Sequence, residues 1–217
     1  MRKFSYLLIL AGILIMLYPT ANEWYNDWQQ QKLLEAAELN TTESTPPPDL
    51  KSRYTEVTQL LAEESVLDAQ TEPQAAKKPE TKIEVGGKVI ALIEIAKIDL
   101  KLPVLEGATK ANMKHAAAHM KETAPLGEVG NAAIAAHRAR TTGRLFNRLN
   151  EVAVGDMITV KTDHQVFNYK VYDISVVDPS DVSVLGGNSN DKILTLITCD
   201  PLVNPTHRLI VHAKLTK

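Results

Sequence analysis

The chain has 217 residues, and 24 Lys and Arg against 26 Asp and Glu give a formal net charge of −2. This length suits about one to two domains, and the balanced charge does not favour nucleic acid as the main partner. The only cysteine is Cys199, which excludes an intramolecular disulfide and a cysteine-rich zinc site. Hydrophobic residues make up 44% of the chain, enough for a folded core.

Residues 1–21 are predicted to form an N-terminal membrane anchor. Arg2 and Lys3 precede an apolar run from Phe4 to Tyr18, and Pro19 ends it. Such a run spans roughly 22 Å as a helix, so crossing a hydrocarbon core of roughly 30 Å needs the flanking residues. Aromatic residues suited to headgroup depth follow it closely: Trp24, Tyr25 and Trp28. With no Ala-x-Ala pattern, these features favour an uncleaved anchor over a cleaved signal peptide or a core helix, with the N-terminus inside and the later domain extracytoplasmic.

Residues 22–85 are predicted to form a helical and proline-rich stalk. Helix formers in 22–40 and 51–70 predict two modest, solvated helices. The segments 41–48 and 71–80 are too polar and too rich in proline to pack a core, so they are predicted to be linkers. Such a stalk would hold the following domain clear of the membrane surface.

Residues 86–217 are predicted to form one domain, because short β-rich runs alternate there with turn residues. This pattern is typical of an antiparallel barrel or sandwich. The predicted strands are Val89–Ile95, Leu100–Leu105, Ala132–His137, Met157–Lys161, Val166–Val177, Ile193–Cys199 and Arg208–Leu215. Short helices are predicted at Thr109–Ala117 and Gly143–Asn150. No glycine-rich phosphate loop supports nucleotide binding.

Three reactive side chains fall at predicted strand ends. Cys199 ends one strand, Arg208 opens the next strand nine positions later, and His137 ends an earlier strand. A thiolate is a nucleophile that a nearby cation favours, a guanidinium can hold an oxyanion, and an imidazole can transfer protons near neutral pH. From the residues alone, a buried and inert cysteine remains the more common case, so both readings stay open.

The sequence around these residues resembles the sortase family of cysteine transpeptidases. Residues 195–199 match the Thr-Leu-x-Thr-Cys signature of that family, and 206–211 are similar to its arginine strand. Ala136-His137-Arg138 is similar to the family's Gly-His-Arg, with Ala136 in the usual place of glycine. The resemblance covers the domain from about residue 86 onwards.

This resemblance implies an all-β domain with short helices, folded as an eight-stranded sortase-type β-barrel. It implies that Cys199 is the nucleophile, His137 the general acid and base, and Arg208 the oxyanion and substrate clamp. Surface proteins with a Leu-Pro-x-Thr-(Gly or Ala) sorting signal would be cut after Thr through a thioacyl-enzyme. The accepting amine would belong to lipid II or a peptidoglycan crossbridge, and no cofactor is implied.

The resemblance also bears on the subclass. The nine-position spacing between Cys199 and Arg208 is similar to that in class C and class D sortases. Residues 71–87 lack the Asp-Pro-aromatic lid typical of class C, and no second apolar segment follows the last predicted strand. We therefore expect a class D or class A enzyme, with a preference for Leu-Pro-x-Thr-Ala or Leu-Pro-x-Thr-Gly respectively.

Further residues are candidates for substrate or metal binding. The segment 173–191 is predicted to form a mobile wall over the signal-peptide groove, against the alternative of plain loop packing. The apolar residues expected to hold the Leu-Pro of the signal are Val182, Val184 and Leu185. Thr198, beside the cysteine, is a further substrate-binding candidate by resemblance. His115 and His119 have a zinc-compatible spacing but no third ligand, and the carboxylates lack calcium-loop spacing, so no required metal is predicted.

Two other functions remain as alternatives. A papain-like cell-wall peptidase also uses Cys and His, but it places the cysteine first and at a helix N-terminus, whereas His137 precedes Cys199 here. The second alternative is a membrane-tethered, non-enzymatic binding domain whose cysteine is inert.

Overall fold

The computed structural model of the chain describes residues 28–33, 50–70 and 87–216, with side chains left aside in 64–70. The predicted anchor at 1–21 and the linkers at 41–48 and 71–80 lie outside the described residues. Among the described helices, none is both long and apolar enough to cross a bilayer.

Eight strands close into a barrel in the order β1-β2-β3-β4-β7-β8-β6-β5. They are β1 Val89–Ile95, β2 Leu100–Glu106, β3 Ala117–His119, β4 Gly130–Ala135, β5 Met157–Lys161, β6 Val166–Val177, β7 Lys192–Asp200 and β8 His207–Leu215. Strand pairs β2/β3 and β4/β7 are parallel, and the other neighbours are antiparallel. The predicted eight-stranded barrel is therefore confirmed, and it has no free edge that a second chain could extend.

The two helices predicted within the barrel domain differ from those observed. Among the described residues, 28–33 are helical, α1 spans Leu50–Gln70 and α2 spans Lys110–Met113, with 3₁₀ turns at Ala96–Ile98, Leu149–Glu151 and Val182–Leu185. The prediction that α2 extends from Thr109 to Ala117 is wrong, because Ala117 already belongs to β3.

The predicted helix Gly143–Asn150 is also wrong. Residues 141–148 form bends and turns, and only the last part enters the 3₁₀ turn Leu149–Glu151. Gly143 and Leu145 have φ of +84° and +46°, a left-handed conformation that a right-handed helix cannot contain. This turn brings Phe146 N to within 3.0 Å of the carbonyl oxygen of His137, so it supports the chain just after β4.

The barrel interior is filled by alternating apolar side chains of the strands. Ile93, Leu102, Ile134, Leu194 and Val211 are among the buried members of this core. Strand β7 is buried along nearly its whole length, from Ile193 to Cys199, because it is covered on both faces. The side chains of β7 that point away from the barrel interior must therefore be covered by a second element outside the barrel.

Helix α1 provides that cover. Its side chains Tyr54, Val57 and Leu61 are 0%, 3% and 0% exposed, and they pack in one apolar cluster with Ile197 and Ile210 of β7 and β8. Burying each such side chain contributes about 1.5–3 kcal/mol relative to exposure. The prediction of a solvated stalk helix at 51–70 is therefore wrong in its surroundings, although the helix itself is present.

Candidate functional site

Strand register brings the three predicted reactive residues to one end of the barrel. In the antiparallel pair β7/β8, Cys199 lies directly opposite Arg208. In the parallel pair β4/β7, Ala135 lies opposite Ile197, and Ala136 N donates a 3.1 Å hydrogen bond to the carbonyl oxygen of Ile197. Continuing the parallel register of Ala135 and Ile197 by two positions puts His137 at the level of Cys199.

All three side chains are withdrawn from solvent. Cys199, Arg208 and His137 are 0%, 1% and 6% exposed. In such surroundings the interaction between a charge and a reacting group is stronger than in water, because little solvent screens it. A buried guanidinium beside a thiol and an imidazole can stabilise a developing oxyanion, and the imidazole can move a proton between the thiol and an amine.

Helix α1 covers this group of residues. The Cys199 thiol donates a 3.3 Å hydrogen bond to the carbonyl oxygen of Leu61. Arg208 Nη2 donates to the carbonyl oxygen of Thr58, and its Nη1 donates to the carbonyl oxygen of His207 at 2.8 Å. Two backbone oxygens of α1 thus take hydrogen bonds from the thiol and the guanidinium. Helix α1 therefore contributes to the complete burial of Cys199.

Sequence reasoning missed this cover, although a signal for it exists. Tyr54, Val57 and Leu61 are spaced three and four positions apart, which places them on one face of a helix. These three are a minority of the apolar residues of the 21-residue helix, and the polar residues between them favoured the prediction of a solvated helix. The stripe that the three form predicts that α1 packs on a partner, but not which surface.

Tyr54 brings a hydroxyl group into this apolar contact. Burial raises the pKa of its phenol to about 12, although the nearby Arg208 charge opposes the shift. Its hydroxyl has no hydrogen-bond partner among the described residues. A buried hydroxyl without a hydrogen-bond partner lowers the free energy of unfolding by about 1–3 kcal/mol. The apolar side chains of α1 therefore stabilise its packing on the barrel, whereas the Tyr54 hydroxyl opposes it.

The predicted wall residues belong to, or pack against, the apolar cluster that contains Cys199. Val184 and Leu185, in the 3₁₀ turn Val182–Leu185, are buried in the same cluster as Cys199, and Val182 packs against that cluster. Asn131 Nδ2 holds this turn by donating to the carbonyl oxygens of Val184 at 3.1 Å and Gly186 at 3.0 Å. Sequence reasoning missed Asn131, because nothing local connects it to a turn more than fifty positions away.

Thr198 is placed differently from a groove-lining residue. It is fully buried, and its hydroxyl donates a 2.8 Å hydrogen bond to the carbonyl oxygen of Ala136. In this arrangement Thr198 supports the segment that leads into His137. Its substrate-binding role stays a prediction.

Asp200 ends strand β7 and has a specific partner. Its carboxylate oxygen Oδ1 accepts a 2.6 Å hydrogen bond from Arg138 Nη1. Arg138 follows His137, so the residues next to the histidine and next to the cysteine form an ion pair. Sequence reasoning did not single out this arginine beyond the His-Arg pair.

The two histidines with zinc-compatible spacing are not on one helix. His119 lies in β3, where its Nδ1 is 3.2 Å from Glu106 Oε1 and its Nε2 is 3.0 Å from the carbonyl oxygen of Ala124. His115 lies in the turn before β3. No group of three or more His, Cys, Asp or Glu side chains suited to a metal ion occurs within the described ranges.

Comparison with known proteins agrees with this geometry. A family model for the Sortase domain matches residues 93–216. Sortase A of Streptococcus agalactiae is 28% identical, and the match covers 97% of this chain and 82% of that protein. The structure of a Sortase D5 transpeptidase from Clostridium perfringens superposes with a TM-score of 0.56 at 31% identity, covering 75% of this chain and 99% of that one. A lid mutant of sortase A from Corynebacterium diphtheriae gives a TM-score of 0.57 at 29% identity, covering 79% and 96%.

The fold is a closed β-barrel that carries a cysteine, a histidine and an arginine at one end, an arrangement suited to cysteine-dependent acyl transfer. With the family match over more than half of its length, the chain belongs to the sortase family. Sortases are cysteine transpeptidases, and this chain has a single cysteine, Cys199.

Proposed function

We propose that this chain is a membrane-anchored sortase that cleaves a Leu-Pro-x-Thr-(Gly or Ala) sorting signal after Thr and transfers the acyl group to a cell-wall amine. The observation that carries the proposal is the register that places Cys199 opposite Arg208 and at the level of His137. The surface proteins that bear the signal and the lipid II or crossbridge amine are the proposed partners. The reaction uses side chains alone.

The first half-reaction forms a thioacyl-enzyme. His137 takes the thiol proton of Cys199, the sulfur attacks the carbonyl carbon of the signal's Thr, and the guanidinium of Arg208 holds the oxygen that gains negative charge. His137 gives a proton to the departing amine as the carbon–nitrogen bond breaks. The thioester and a free amine are then the products of this step.

The second half-reaction transfers the acyl group. The acceptor amine attacks the thioester carbon, and His137 takes the proton that the amine loses. The carbon–sulfur bond breaks, the Cys199 sulfur leaves, and a new amide joins the surface protein to the acceptor. Arg208 again faces the oxyanion, so one cation serves both steps.

Signal recognition is proposed to use the 182–185 turn. The side chains of Val182, Val184 and Leu185 adjoin the thiol cluster, and they provide an apolar surface suited to the Leu-Pro of the signal. Because Tyr54 and Leu61 of α1 occupy the same cluster, the signal reaches it only after α1 has moved away. Thr198 is proposed to contribute through its place beside Cys199.

The anchor belongs to the same proposal. The apolar run behind Arg2 and Lys3 is proposed to hold the chain in the cell membrane as a single-pass helix, with the catalytic domain outside. An enzyme that joins exported proteins to envelope precursors needs this placement.

The test is mass spectrometry of the purified full chain in detergent. The chain is incubated with Leu-Pro-x-Thr-Gly or Leu-Pro-x-Thr-Ala peptides and triglycine as the amine, beside the variant Cys199→Ala. We expect a transpeptidation product and a thioacyl adduct on Cys199, both absent from the variant. Preference for the alanine peptide would indicate class D, and preference for the glycine peptide class A.

The proposal fails if the folded wild-type chain forms neither adduct nor product with either peptide. His137→Gln and Arg208→Lys complete the test, because both keep a hydrogen-bonding side chain of similar length. We expect each to lower kcat by about 100-fold or more, since each removes the charge geometry or proton transfer of its residue.

A further inference from the structure

Two contacts tie the chain before His137 to strand β7. Ala136 N donates to the carbonyl oxygen of Ile197 at 3.1 Å, and the hydroxyl of Thr198 donates to the carbonyl oxygen of Ala136 at 2.8 Å. The residue before the histidine is thus held to the two residues before Cys199. These bonds continue the β4/β7 ladder beyond the last paired strand residue.

A third connection ties the chain after His137 to the end of the same strand. Arg138 Nη1 lies 2.6 Å from Asp200 Oδ1 and 3.5 Å from the carbonyl oxygen of Cys199. Its Nε donates to the carbonyl oxygen of Asn147 at 3.4 Å. One guanidinium therefore joins the residue after the histidine, the end of β7 and the turn that follows β4.

The burial of this pair distinguishes it from an ordinary surface ion pair. The Arg138 and Asp200 side chains are 9% and 29% exposed, whereas those of the Arg148–Glu151 pair are 32% and 46% exposed. Charge-assisted bonds between partly buried groups are stronger than those between exposed groups, because water competes less for them. The two pairs have similar short distances, which makes Arg148–Glu151 a matched comparison.

We propose that Arg138 and Asp200 are positioning residues that align His137 with Cys199 for acyl transfer. The inference rests on the proposed roles of His137 and Cys199. Contacts on both sides of the histidine hold it to both sides of the cysteine, and the Arg138–Asp200 bridge supplies the second side. A misplacement of about 1 Å between reacting groups can lower a rate by about 100-fold, so such alignment has a kinetic effect.

The bridge also acts on charge. Asp200 directly follows Cys199, and an unneutralised carboxylate beside a thiol disfavours the thiolate. The Arg138 guanidinium neutralises this carboxylate at 2.6 Å. Removing Arg138 alone should therefore be more harmful than removing both charges, because the single change leaves Asp200 unneutralised next to Cys199.

The test compares full-chain variants in the peptide and triglycine assay. We expect Arg138→Met to lower kcat about 30-fold with KM changed by less than about twofold, because the bridge acts on alignment and not on binding. Arg138→Lys should lose only about fivefold, since its ammonium keeps the charge without the fork. Arg138→Met with Asp200→Asn should be about fivefold better than Arg138→Met alone. The matched control Glu151→Gln should stay within about twofold of wild type.

A second readout does not depend on transpeptidation. The rate of Cys199 alkylation by iodoacetamide should fall about fivefold in Arg138→Met and recover in the double variant, because a thiolate is the reacting form. A merely structural bridge would give the opposite sign, since its loss would loosen the site and speed alkylation. Circular dichroism and thermal melting check that each variant is folded, and Arg138→Gln, which also removes the guanidinium charge and should show the same fall in alkylation, replaces Arg138→Met if the latter does not fold.

Three results would overturn the inference. They are a kcat within about threefold of wild type in folded Arg138→Met, a rise of KM at unchanged kcat, and alkylation as fast as wild type or faster. If the wild-type chain itself turns over no peptide, the proposed function fails. The alkylation rates then still decide whether the bridge acts on Cys199.

Discussion

Replacing Leu61 with alanine should uncover the Cys199 thiol. Leu61 is 0% exposed, and it packs in the apolar cluster that joins α1 to β7 and β8. The substitution shortens a buried side chain but leaves the backbone carbonyl that accepts the thiol hydrogen bond. Any effect on the thiol therefore reports how firmly the apolar face of α1 is docked, not the loss of that bond.

The size of the effect follows from the burial. Truncating a buried leucine to alanine costs about 2–5 kcal/mol, and a helix on the outside of a barrel can settle into part of the space, which favours the lower value. At about 1.4 kcal/mol per factor of ten, a loss of about 2 kcal/mol raises the uncovered fraction about 30-fold. As long as the covered form predominates, alkylation of Cys199 should accelerate by the same factor.

The assay is the rate of iodoacetamide alkylation of the folded full chain, followed by intact-mass spectrometry. Gln59→Ala is the matched control, because Gln59 lies on the exposed side of the same helix. We expect the control to stay within about twofold of wild type, since Gln and Ala are both good helix formers. Equal rates for Leu61→Ala, Gln59→Ala and wild type, all folded, would refute the view that α1 controls access to the thiol.

Three further outcomes are expected. Tyr54→Phe removes a buried hydroxyl that lacks a partner among the described residues, so it should stabilise the docked helix by about 1 kcal/mol and slow Cys199 alkylation about fivefold; unchanged or faster alkylation would contradict this. Asn131→Ala frees the turn that contains Val184 and should raise the peptide KM about tenfold at similar kcat, whereas the exposed Asn188→Ala should leave both unchanged in steady-state kinetics. Burial lowers the pKa of His212 below its usual 6.5, despite the opposing charge of Asp173. The unfolded chain therefore binds the His212 proton first as the pH falls below about 6.5, so the melting temperature of wild type should drop from pH 7 to 5.5 more than that of His212→Gln, and equal drops would refute this role.

Most strands and the reactive end were predictable from local patterns, whereas the choice of an eight-stranded barrel over a sandwich came from the resemblance to sortases. The runs around β6, β7 and β8 are rich in β-branched residues and bounded by turn residues, and Cys199 and Arg208 stand where those runs end and begin. Antiparallel neighbours joined by a short connection leave little freedom of register, so the opposition of Cys199 and Arg208 follows almost directly.

The parts that were not predictable depend on long-range contacts or on weak local signals. Strand β3 consists of Ala117, Ala118 and His119, residues with no strong strand preference, and it forms because β2 and β4 offer partners on both sides. The Arg138–Asp200 bridge joins positions 62 apart, and only the parallel register of β4 and β7 brings them together.

The surroundings of α1 could not be predicted for a related reason. Its apolar stripe shows that one face is buried, but the surface that buries it comes from strands more than a hundred positions later. Helix propensity was enough to predict that α1 is a helix. Its position over the barrel depends on tertiary packing, which the local sequence does not show.

Helix α1 covers Cys199. It therefore competes with the proposed substrate for this site, and it does so from within the same chain. Leu61 and Cys199 are linked by one chain, so dilution of the protein does not weaken their contact. A tethered segment acts at an effective concentration on the order of mM, and a free peptide has to exceed that level to displace it at equal affinity. For the proposed membrane-anchored sortase, signals carried by proteins crowded at the same membrane surface would meet this threshold far more readily than peptides in dilute solution, so we expect the place where a substrate is presented to matter as well as its sequence.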